Sequence, residues 1–366
     1  MSLKVMKALI AMSGGVDSSV AAYLTEKNGY ECIGCTMKLY DNEDVGISRS
    51  RTCCSLDDVE DARSVAYRIG MPYYVFNFAD GFRDKVIEKF VRSYESGMTP
   101  NPCIDCNRYM KFDKLYERAK ILGCEYIVTG HYARIEHNGE RYLLKKALDE
   151  TKDQSYVLYF LTQEQLAHTI FPLGSMRKTE VRKIAEENGF ANAEKPDSQD
   201  ICFVPGGRYA EFLEYYTGKE YPAGDFLSVN GNVLGKHKGI IRYTVGQHKG
   251  LGISLSEPLY VKHIDARDNA VTLGNERDLY GREAIAHDFN WISGEAPKEK
   301  IRCKAKIRYR QKEQWATAIP MGNAAVKLLF DEPQRAITPG QAVVLYDGDI
   351  LLGGGTASDK FSVELL

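Results

Sequence analysis

Seven consecutive residues near the start of the chain have the types and spacing of a phosphate-binding loop: Ser13-Gly14-Gly15-Val16-Asp17-Ser18-Ser19. Two adjacent glycines allow backbone N–H groups to approach an anion, and the following helix N-terminus adds partial positive charge. The serine hydroxyls supply further donors, and Asp17 has the oxygen chemistry to hold Mg²⁺ against phosphate oxygens. The alternative is an ordinary glycine-rich turn with a serine cap. The string is not a Walker A loop, because neither Gly-Lys pair of the chain precedes Ser or Thr.

Three cysteines form a second group of residues whose side chains could take part in chemistry. Cys103 and Cys106 stand three residues apart, directly after a rigid Thr99-Pro100-Asn101-Pro102 stretch in which prolines exclude helix up to Pro102. Cys202 lies in a turn-rich, polar segment far along the chain. Thiols in this arrangement act as nucleophiles or share a metal, and three reduced thiols without a role are the alternative. Beside an ATP loop, adenylation followed by thiol attack makes a coherent sulfur-transfer mechanism.

The other six cysteines are predicted to have no chemical role. The vicinal pair Cys53-Cys54 lies in a polar run, where a bridge between neighbours would be strained. The remaining four lie on apolar elements and are expected to be small core residues: Cys32, Cys35, Cys124 and Cys303.

Composition describes an ordinary globular protein of two or three domains, with 366 residues and a net charge of −2. Bulk attraction to nucleic acid is therefore not expected, and any basic surface must be local. Nine cysteines, an odd number, predict a reducing cytoplasm. No apolar run approaches membrane-spanning length and no export signal precedes the first strand, so no membrane partner is expected.

The elements that must position these residues begin with an alternation of strand and helix. Apolar runs at 5–12, 30–37, 73–78 and 126–129 predict strands, which gives an α/β fold with a doubly wound, mainly parallel sheet. The fourth strand delivers Gly130-His131-Tyr132 to the carboxyl edge, where such sheets bind ligands. Helices are predicted at 55–70, 82–94, 111–122 and 179–188, and Asn138-Gly139 predicts a hairpin.

Short strands punctuated by glycine dominate from Gly224 onward. They predict a small β-rich central domain and a C-terminal β-barrel, with domain boundaries at 1–206, 207–276 and 277–366. Residues 301–312 are predicted to form one strand with six cations on one face, a surface suited to phosphates; a solvated barrel face is the alternative. The cations are Arg302, Lys304, Lys306, Arg308, Arg310 and Lys312.

Several blocks occur in order that resemble a known family. The loop resembles the pyrophosphate loop (PP-loop) of the N-type ATP pyrophosphatases, which split ATP into AMP and pyrophosphate. With it stand N-P-C-I-D-C-N, T-G-H-Y-A, K-D-Q-S-Y, K-P-D-S-Q-D-I-C-F, Y-T-V-G-Q-H-K-G-L-G-I and R-Y-R-Q. Together they closely resemble the bacterial tRNA-specific 2-thiouridylases over nearly the whole chain. The resemblance implies ATP-dependent replacement of the C2 oxygen of a wobble uridine by sulfur.

The resemblance also implies roles for residues at matching positions. Cys106 would be the nucleophile and Cys202 the persulfide carrier, with a disulfide between them after each turnover. ATP, with Mg²⁺, would be held by Ala11, Met12, Ser13, Gly14, Gly15, Val16, Asp17, Ser18, Met37 and Gly130. Contacts with tRNA would come from Asn101, Pro102, Cys103, His131, Lys152, Asp153, Gln154, Arg308, Tyr309 and Gln341.

One residue departs from the family pattern. The best-known members carry Asp where this chain has Cys103, and a thiol is a poor substitute for a carboxylate as an acid or base. Cys103, Cys106 and Cys202 are together sufficient to ligate a 4Fe–4S cluster with one iron open to sulfide. The persulfide and cluster routes both stay open at this point.

Partners and alternatives follow from the same resemblance. The expected partners are the anticodon stem-loop of a wobble-uridine tRNA and a cysteine desulfurase or sulfur-relay protein. An ammonia-using ligase of the GMP- or NAD-synthetase type shares the loop but needs neither the cysteines nor the basic strand. A non-catalytic RNA-binding protein with a relic loop is the third interpretation.

Overall fold

A computed structural model describes the chain over residues 5–41, 43, 45–46, 56–196, 200–253, 257–322 and 324–358. The Cys53-Cys54 pair, the predicted helix cap Ser55 and Asp197-Ser198-Gln199 lie outside the described residues.

The strands follow the predicted alternation and are numbered in chain order. They are β1 (Lys7–Ala11), β2 (Glu31–Lys38), β3 (Tyr73–Asn77), β4 (Tyr126–Val128), β5 (Ala133–His137), β6 (Tyr142–Lys146), β7 (Thr169–Ile170), β8 (Gly224–Ser228), β9 (Val233–His237), β10 (Tyr260–Asp265), β11 (Ala270–Gly274), β12 (Tyr280–Trp291), β13 (Ile301–Lys306), β14 (Gln314–Met321), β15 (Ala325–Arg335), β16 (Ala342–Asp347) and β17 (Ile350–Ala357).

The α-helices are α1 (Val16–Lys27), α2 (Leu56–Arg68), α3 (Ala79–Phe82), α4 (Glu88–Glu95), α5 (Pro102–Asp105), α6 (Leu115–Ile121), α7 (Gln163–Ala167), α8 (Lys178–Glu187) and α9 (Tyr209–Thr217). Two π-helical segments bridge consecutive helices, Arg83–Ile87 between α3 and α4 and Cys106–Lys114 between α5 and α6.

The described chain divides into two compact units. Unit 1 comprises residues 1–86, 103–207 and 349–351, and unit 2 comprises residues 87–102, 208–348 and 352–366.

Unit 1 is built on a parallel sheet in the order β3-β2-β1-β4-β7, as the doubly wound expectation requires. The order reverses between β1 and β4, so their carboxyl ends form the switch point at which such sheets bind ligands. Helices α1, α2 and α8 contribute to a core with β1, in which Ile10, Val20 and Val181 are fully enclosed. The predicted hairpin at Asn138-Gly139 is confirmed by antiparallel β5 and β6.

Unit 2 contains the predicted β-rich module and barrel. The first is a four-stranded sheet in the order β10-β11-β8-β9. The second is a closed six-stranded barrel, because β12 pairs with both β15 and β17 at the ends of the order β12-β15-β14-β13-β16-β17. Alternate residues of β13, such as Cys303 and Ala305, face the apolar interior.

Three sequence expectations need correction. Helix starts at Pro102, because proline suits a first helical position, and continues through Ile121 rather than beginning near Lys111. The predicted strand at 301–312 ends at Lys306 and gives way to a turn. Helix α9 was not predicted; its aromatic residues have modest helix propensity, and packing of Tyr209 on Tyr94 at a centroid distance of 4.9 Å supports it.

The cysteines expected in the core are confirmed there. Cys32, Cys35, Cys124 and Cys303 are all buried. Burial raises the pKa of Cys32 to about 12 and that of Cys303 to about 11, so both stay protonated thiols at neutral pH. Within the part of the chain that the structure describes, no helix is long and apolar enough to cross a bilayer.

Candidate functional site

The phosphate loop can pack against its neighbours only because glycine stands at two positions where the backbones approach closely. Gly14 has φ +75°, and a side-chain β-carbon on it would lie 2.4 Å from the carbonyl oxygen of Asp58 in α2. A β-carbon on Gly130, which follows β4, would lie 2.8 Å from the carbonyl carbon of Asp17 and 2.9 Å from the amide nitrogen of Ser18. The loop is therefore packed against backbone on two sides at the switch point.

The loop serines divide into one exposed hydroxyl and two buried ones. Ser18 and Ser19 both donate to the carbonyl oxygen of Gly15, at 2.9 and 3.1 Å, and Ser18 Oγ also accepts from the Ser13 amide. These two hydroxyls thus fix the loop conformation, whereas Ser13 is exposed. Ala11, Met12 and Val16 are buried, Met37 is partly exposed at the end of β2, and the ATP contacts of the whole set stay a prediction.

Asp17, the loop carboxylate, is held by two side chains to which the sequence analysis gave no role in the loop. Lys178 Nζ lies 2.7 Å from both carboxylate oxygens, and the Tyr132 hydroxyl donates to Oδ1 at 2.7 Å. Lys178 is only 8% exposed, at the first position of α8. The negative charge beside the predicted anion site is therefore balanced by a buried cation.

A buried amide also supports the loop from outside it. Asn192 Nδ2 donates to the Gly14 carbonyl and to Ser19 Oγ, both at 2.9 Å. The residue is 2% exposed, and its Oδ1 has no hydrogen-bond partner among the described residues. An unsatisfied buried acceptor costs free energy, so this carbonyl marks a place where water or a ligand donor would be stabilised.

The segment predicted to touch tRNA at Lys152–Gln154 is itself internally braced. Asp153 accepts from the Ala147 and Ser155 amides, at 3.0 and 3.2 Å. Gln154 exchanges two hydrogen bonds with the Tyr132 backbone, each 2.9 Å long. Two of the three predicted contact residues therefore hold the segment in place.

Asp149 lies just before the Lys152–Gln154 segment. Its carboxylate accepts a hydrogen bond from the Lys178 amide at 3.0 Å and one from the side chain of Thr151 at 2.6 Å. The hydrogen bond from Thr151, followed by that from the Lys178 backbone, lowers the pKa of Asp149.

His131 is buried rather than presented at the surface. Its Nδ1 lies 2.7 Å from Thr129 Oγ1, and the rings of Phe112 and Phe171 lie within about 6 Å of it. Burial, with a smaller effect from Lys111, lowers the pKa of His131 well below its usual value, so the ring is neutral at pH 7. A tRNA contact by this residue stays a prediction.

Cys106 opens the nine-residue π-helical segment that runs to Lys114. Such segments are rare and are frequent at functional sites, because widened turns redirect the side chains. Cys106 is partly exposed and Cys103, one turn earlier, is exposed.

Cys202 is partly exposed in a turn that aromatic residues anchor. Its carbonyl accepts from the Tyr40 hydroxyl at 2.8 Å, and its neighbour Phe203 packs edge-on against Phe82. The anchor holds the backbone at and directly after the sulfur-bearing residue.

Metal ligation by the cysteines finds no support in this geometry. Among the described residues, which include Cys103, Cys106 and Cys202, no three Cys, His, Asp or Glu side chains form a group able to hold a metal ion.

In unit 2, two predicted tRNA-contact residues are used internally. The Arg308 guanidinium donates through Nη2 to the carbonyls of Val245 and Ala336 and to Thr338 Oγ1, at 3.1, 2.9 and 2.6 Å. Strand β13 ends at Lys306, so Arg308 is no longer bound by the strand alternation that would direct its side chain to the outer face. Gln341 donates to the Thr99 carbonyl at 2.7 Å and thereby holds the segment that leads to Asn101 and Pro102.

Three of the cations predicted on β13 form a basic aromatic surface on the barrel together with Trp315 and Tyr309. Trp315 is half exposed, with Arg302 and Lys304 at 5.1 and 5.4 Å from its ring centroid. Lys306 lies 5.9 Å from the ring of Tyr309, which is also exposed. We call these five residues the β13 surface.

A parallel sheet with a glycine-rich, anion-suited loop at its switch point defines the class as an α/β nucleotide-binding fold. Family models match the chain over residues 6–206 (tRNA methyl transferase HUP domain), 210–275 (tRNA methyl transferase PRC-barrel domain) and 281–357 (aminomethyltransferase beta-barrel domain).

Curated relatives match almost end to end. The tRNA-specific 2-thiouridylase MnmA of Clostridioides difficile strain 630 is 52% identical over 351 residues, covering 95% of this chain and 97% of the relative. That of Clostridium acetobutylicum is 50% identical over 349 residues, covering 95% and 98%. The chain belongs to the family of tRNA-specific 2-thiouridylases. A solved 4-thiouridine synthetase–RNA complex with bound ATP is 20% identical, matches 58% of this chain and 50% of that one, and has a TM-score of 0.35.

Sequence reasoning missed Lys178, Tyr132 and Asn192 as parts of the loop site. Tyr132 had a signal, because it adjoins Gly130-His131 at the carboxyl edge. Lys178 and Asn192 lie more than 150 residues from the loop in sequence, and no local pattern marks them.

Replacing Gly130 with alanine should lower ATP affinity. The added methyl group meets the backbone of Asp17 and Ser18, which cannot rotate away, so the loop must shift at a cost of about 1–3 kcal/mol. Equilibrium binding of ATP measures the effect. Gly322→Ala is the matched control, because its β-carbon meets nothing within 4 Å. Wild-type ATP affinity in Gly130→Ala would contradict this placement of the loop.

Proposed function

We propose that this chain is a tRNA-uridine 2-sulfurtransferase that uses ATP to replace the C2 oxygen of the wobble uridine with sulfur. The observation that carries the proposal is that unit 1 contains both the phosphate loop and the segments bearing Cys106 and Cys202. Family membership and the relatives' name support the same reaction. The family model's description mentions methyl transfer, which neither an ATP loop nor a cysteine pair would serve.

The first step is activation of the uridine. The C2 oxygen attacks the α-phosphate of ATP and pyrophosphate leaves, so that the oxygen becomes part of a good leaving group, AMP. Backbone N–H groups of residues 13–18 would stabilise the charge on the phosphates. Both Asp17 oxygens are already paired with Lys178 Nζ at 2.7 Å, so Mg²⁺ would be held chiefly by the substrate phosphates, whose charge it would neutralise. An anticodon base is single-stranded already, which makes its extrusion inexpensive.

The second step delivers sulfur through a persulfide on Cys202. In one order, the Cys106 thiolate attacks the inner sulfur and frees sulfide, which displaces AMP from C2. In the other, the outer persulfide sulfur displaces AMP first, and Cys106 then attacks Cys202 Sγ to release the thiouridine. Both orders leave a Cys106–Cys202 disulfide, which a thiol reductant resets with two electrons. The sulfur comes from a cysteine desulfurase, directly or through a relay protein.

We favour the persulfide over a 4Fe–4S cluster as the sulfur carrier. The described geometry gathers no three-ligand group from Cys103, Cys106 and Cys202. Cys103, exposed and one helical turn before Cys106, would line the target base with Asn101 and Pro102 without acting as an acid or base.

The β13 surface is the candidate contact for tRNA in the barrel. Exposed aromatic rings beside cations suit unpaired bases and phosphates, because bases stack on the rings while the cations meet the backbone. This placement keeps Arg302, Lys304, Lys306 and Tyr309 from the expected run at residues 301–312 and adds Trp315. Arg308, by contrast, is engaged with backbone carbonyls.

Radioactive sulfur transfer tests the cysteine roles. With a desulfurase and [³⁵S]cysteine, Cys106→Ser should still accept a reducible label on Cys202 but form no thiouridine, whereas Cys202→Ser should accept none. Cys303→Ala, a change in the barrel core, is the matched control and should thiolate normally.

Three results would count against the persulfide proposal. The first is about four irons per chain after anaerobic purification, and the second is thiouridine formation by Cys202→Ser. The third is an ammonia-ligase activity that needs no tRNA and is undiminished in Cys106→Ser. The last of these would favour the ligase interpretation.

Removing the Trp315 ring of the β13 surface should weaken tRNA binding. Trp315→Ala is expected to cost on the order of 1–3 kcal/mol, and Lys304→Glu with Lys306→Glu should also flatten the salt dependence of binding. Filter binding across a salt series measures both effects, while ATP affinity should not change. Tyr67→Ala, which removes an 87% exposed ring in α2, is the control. Unchanged tRNA affinity in the Trp315 and lysine variants would refute this surface.

A further inference from the structure

Two hydrogen-bonded routes connect residues 149–154 to the phosphate loop, and both end on the Asp17 carboxylate. All of the residues involved belong to unit 1. In the first route, Gln154 holds the Tyr132 backbone through two 2.9 Å bonds, and the Tyr132 hydroxyl donates to Asp17 at 2.7 Å. In the second, Asp149 accepts from the Lys178 amide at 3.0 Å, and Lys178 Nζ lies 2.7 Å from both oxygens of Asp17.

The common end point matters because of its charge. Asp17 is the second residue of α1, at the helix end suited to phosphate. An uncompensated carboxylate there would repel an incoming triphosphate, so the local attraction for ATP depends on Lys178 and Tyr132 staying in place. Charge-assisted hydrogen bonds weaken steeply with distance and angle, and a small shift of either residue would change that balance.

Residues 149–154 are built to transmit such a shift. Asp149 and Asp153 fix the turn by accepting hydrogen bonds from Thr151, Ala147 and Ser155, so the segment is held as one hydrogen-bonded unit. The packing of Tyr132 and Ala147 in one apolar core keeps the segment and the tyrosine in register.

We propose that residues 149–154 position Lys178 and Tyr132 on Asp17 and thereby couple tRNA binding at this segment to ATP binding at the phosphate loop. Asp149, Tyr132 and Lys178 are then positioning residues for the reaction. The inference rests on the proposed function, which supplies tRNA and ATP as the two ligands, and on the tRNA contacts predicted for Lys152, Asp153 and Gln154. Coupling between binding sites is reciprocal, so ATP must tighten tRNA binding by the same factor.

The test measures the dissociation constant of α,β-methylene-ATP, which resists cleavage, with and without a saturating tRNA transcript that carries a wobble uridine. The wild-type protein should bind the analogue at least about fivefold more tightly with tRNA, within the usual range of coupling. Tyr132→Phe and Asp149→Ala each cut one route and should each lower this ratio, and the double variant should bring it to within twofold of unity. Tyr116→Phe removes a hydroxyl that contacts Glu164 at 3.4 Å elsewhere in unit 1, and should keep the wild-type ratio.

The ratio separates coupling from a merely structural role, because general destabilisation would lower both ATP affinities and leave their ratio unchanged. If Asp149→Ala does not fold, the affinity ratio of Tyr132→Phe, which keeps the ring, still tests the coupling. A wild-type ratio near one, or an unaltered ratio in both variants, would overturn the inference. Thiouridine formation by the wild-type protein is assayed in parallel: its absence would count against the proposed function, whereas its presence without coupling would count against this inference alone.

Discussion

Close backbone packing at the carboxyl edge of the parallel sheet is the constraint on which the site depends. Gly14 lies against the backbone of α2, and Gly130 lies against the start of α1, with no room for a β-carbon at either place. This packing fixes the loop between β1 and α1 so that its amides can face an anion. It also places the Asp17 carboxylate where Lys178 and Tyr132 reach it. The loop is therefore a rigid element supported by three distant parts of unit 1.

The ion pair between Asp17 and Lys178 is better explained by position than by stability. Burying two charges costs desolvation that their attraction often only offsets, and apolar replacements of such pairs are frequently as stable. A buried lysine beside a phosphate-type loop does, however, hold a negative group at a defined point and keeps its charge balanced. The cysteines show a similar division between structure and chemistry. Cys35 and Cys303 are enclosed and have raised pKa values, whereas Cys103, Cys106 and Cys202 have access to solvent.

Features that depend on local patterns were predictable from the sequence, and features that depend on distant partners were not. Apolar runs with a glycine turn before or after them were sufficient to predict β1, β2, β4 and the hairpin of β5 and β6. The outward face of β13 was predicted as far as Lys306, but alternation could not reveal that the strand ends there and that Arg308 finds three acceptors. Likewise, Lys178 is the first residue of α8, and nothing in the sequence around this helix start distinguishes it from other helix starts. Its role depends on a contact across 161 residues.

The central claim is that the uridine oxygen is activated by attachment to AMP before sulfur replaces it. The most direct measurement follows that oxygen, using tRNA whose wobble uridine carries ¹⁸O at C2 and analysing the AMP by mass spectrometry after one turnover. The account predicts one ¹⁸O atom in the AMP phosphate for each thiouridine formed. Thiouridine accompanied by unlabelled AMP, with the ¹⁸O released into water, would contradict it.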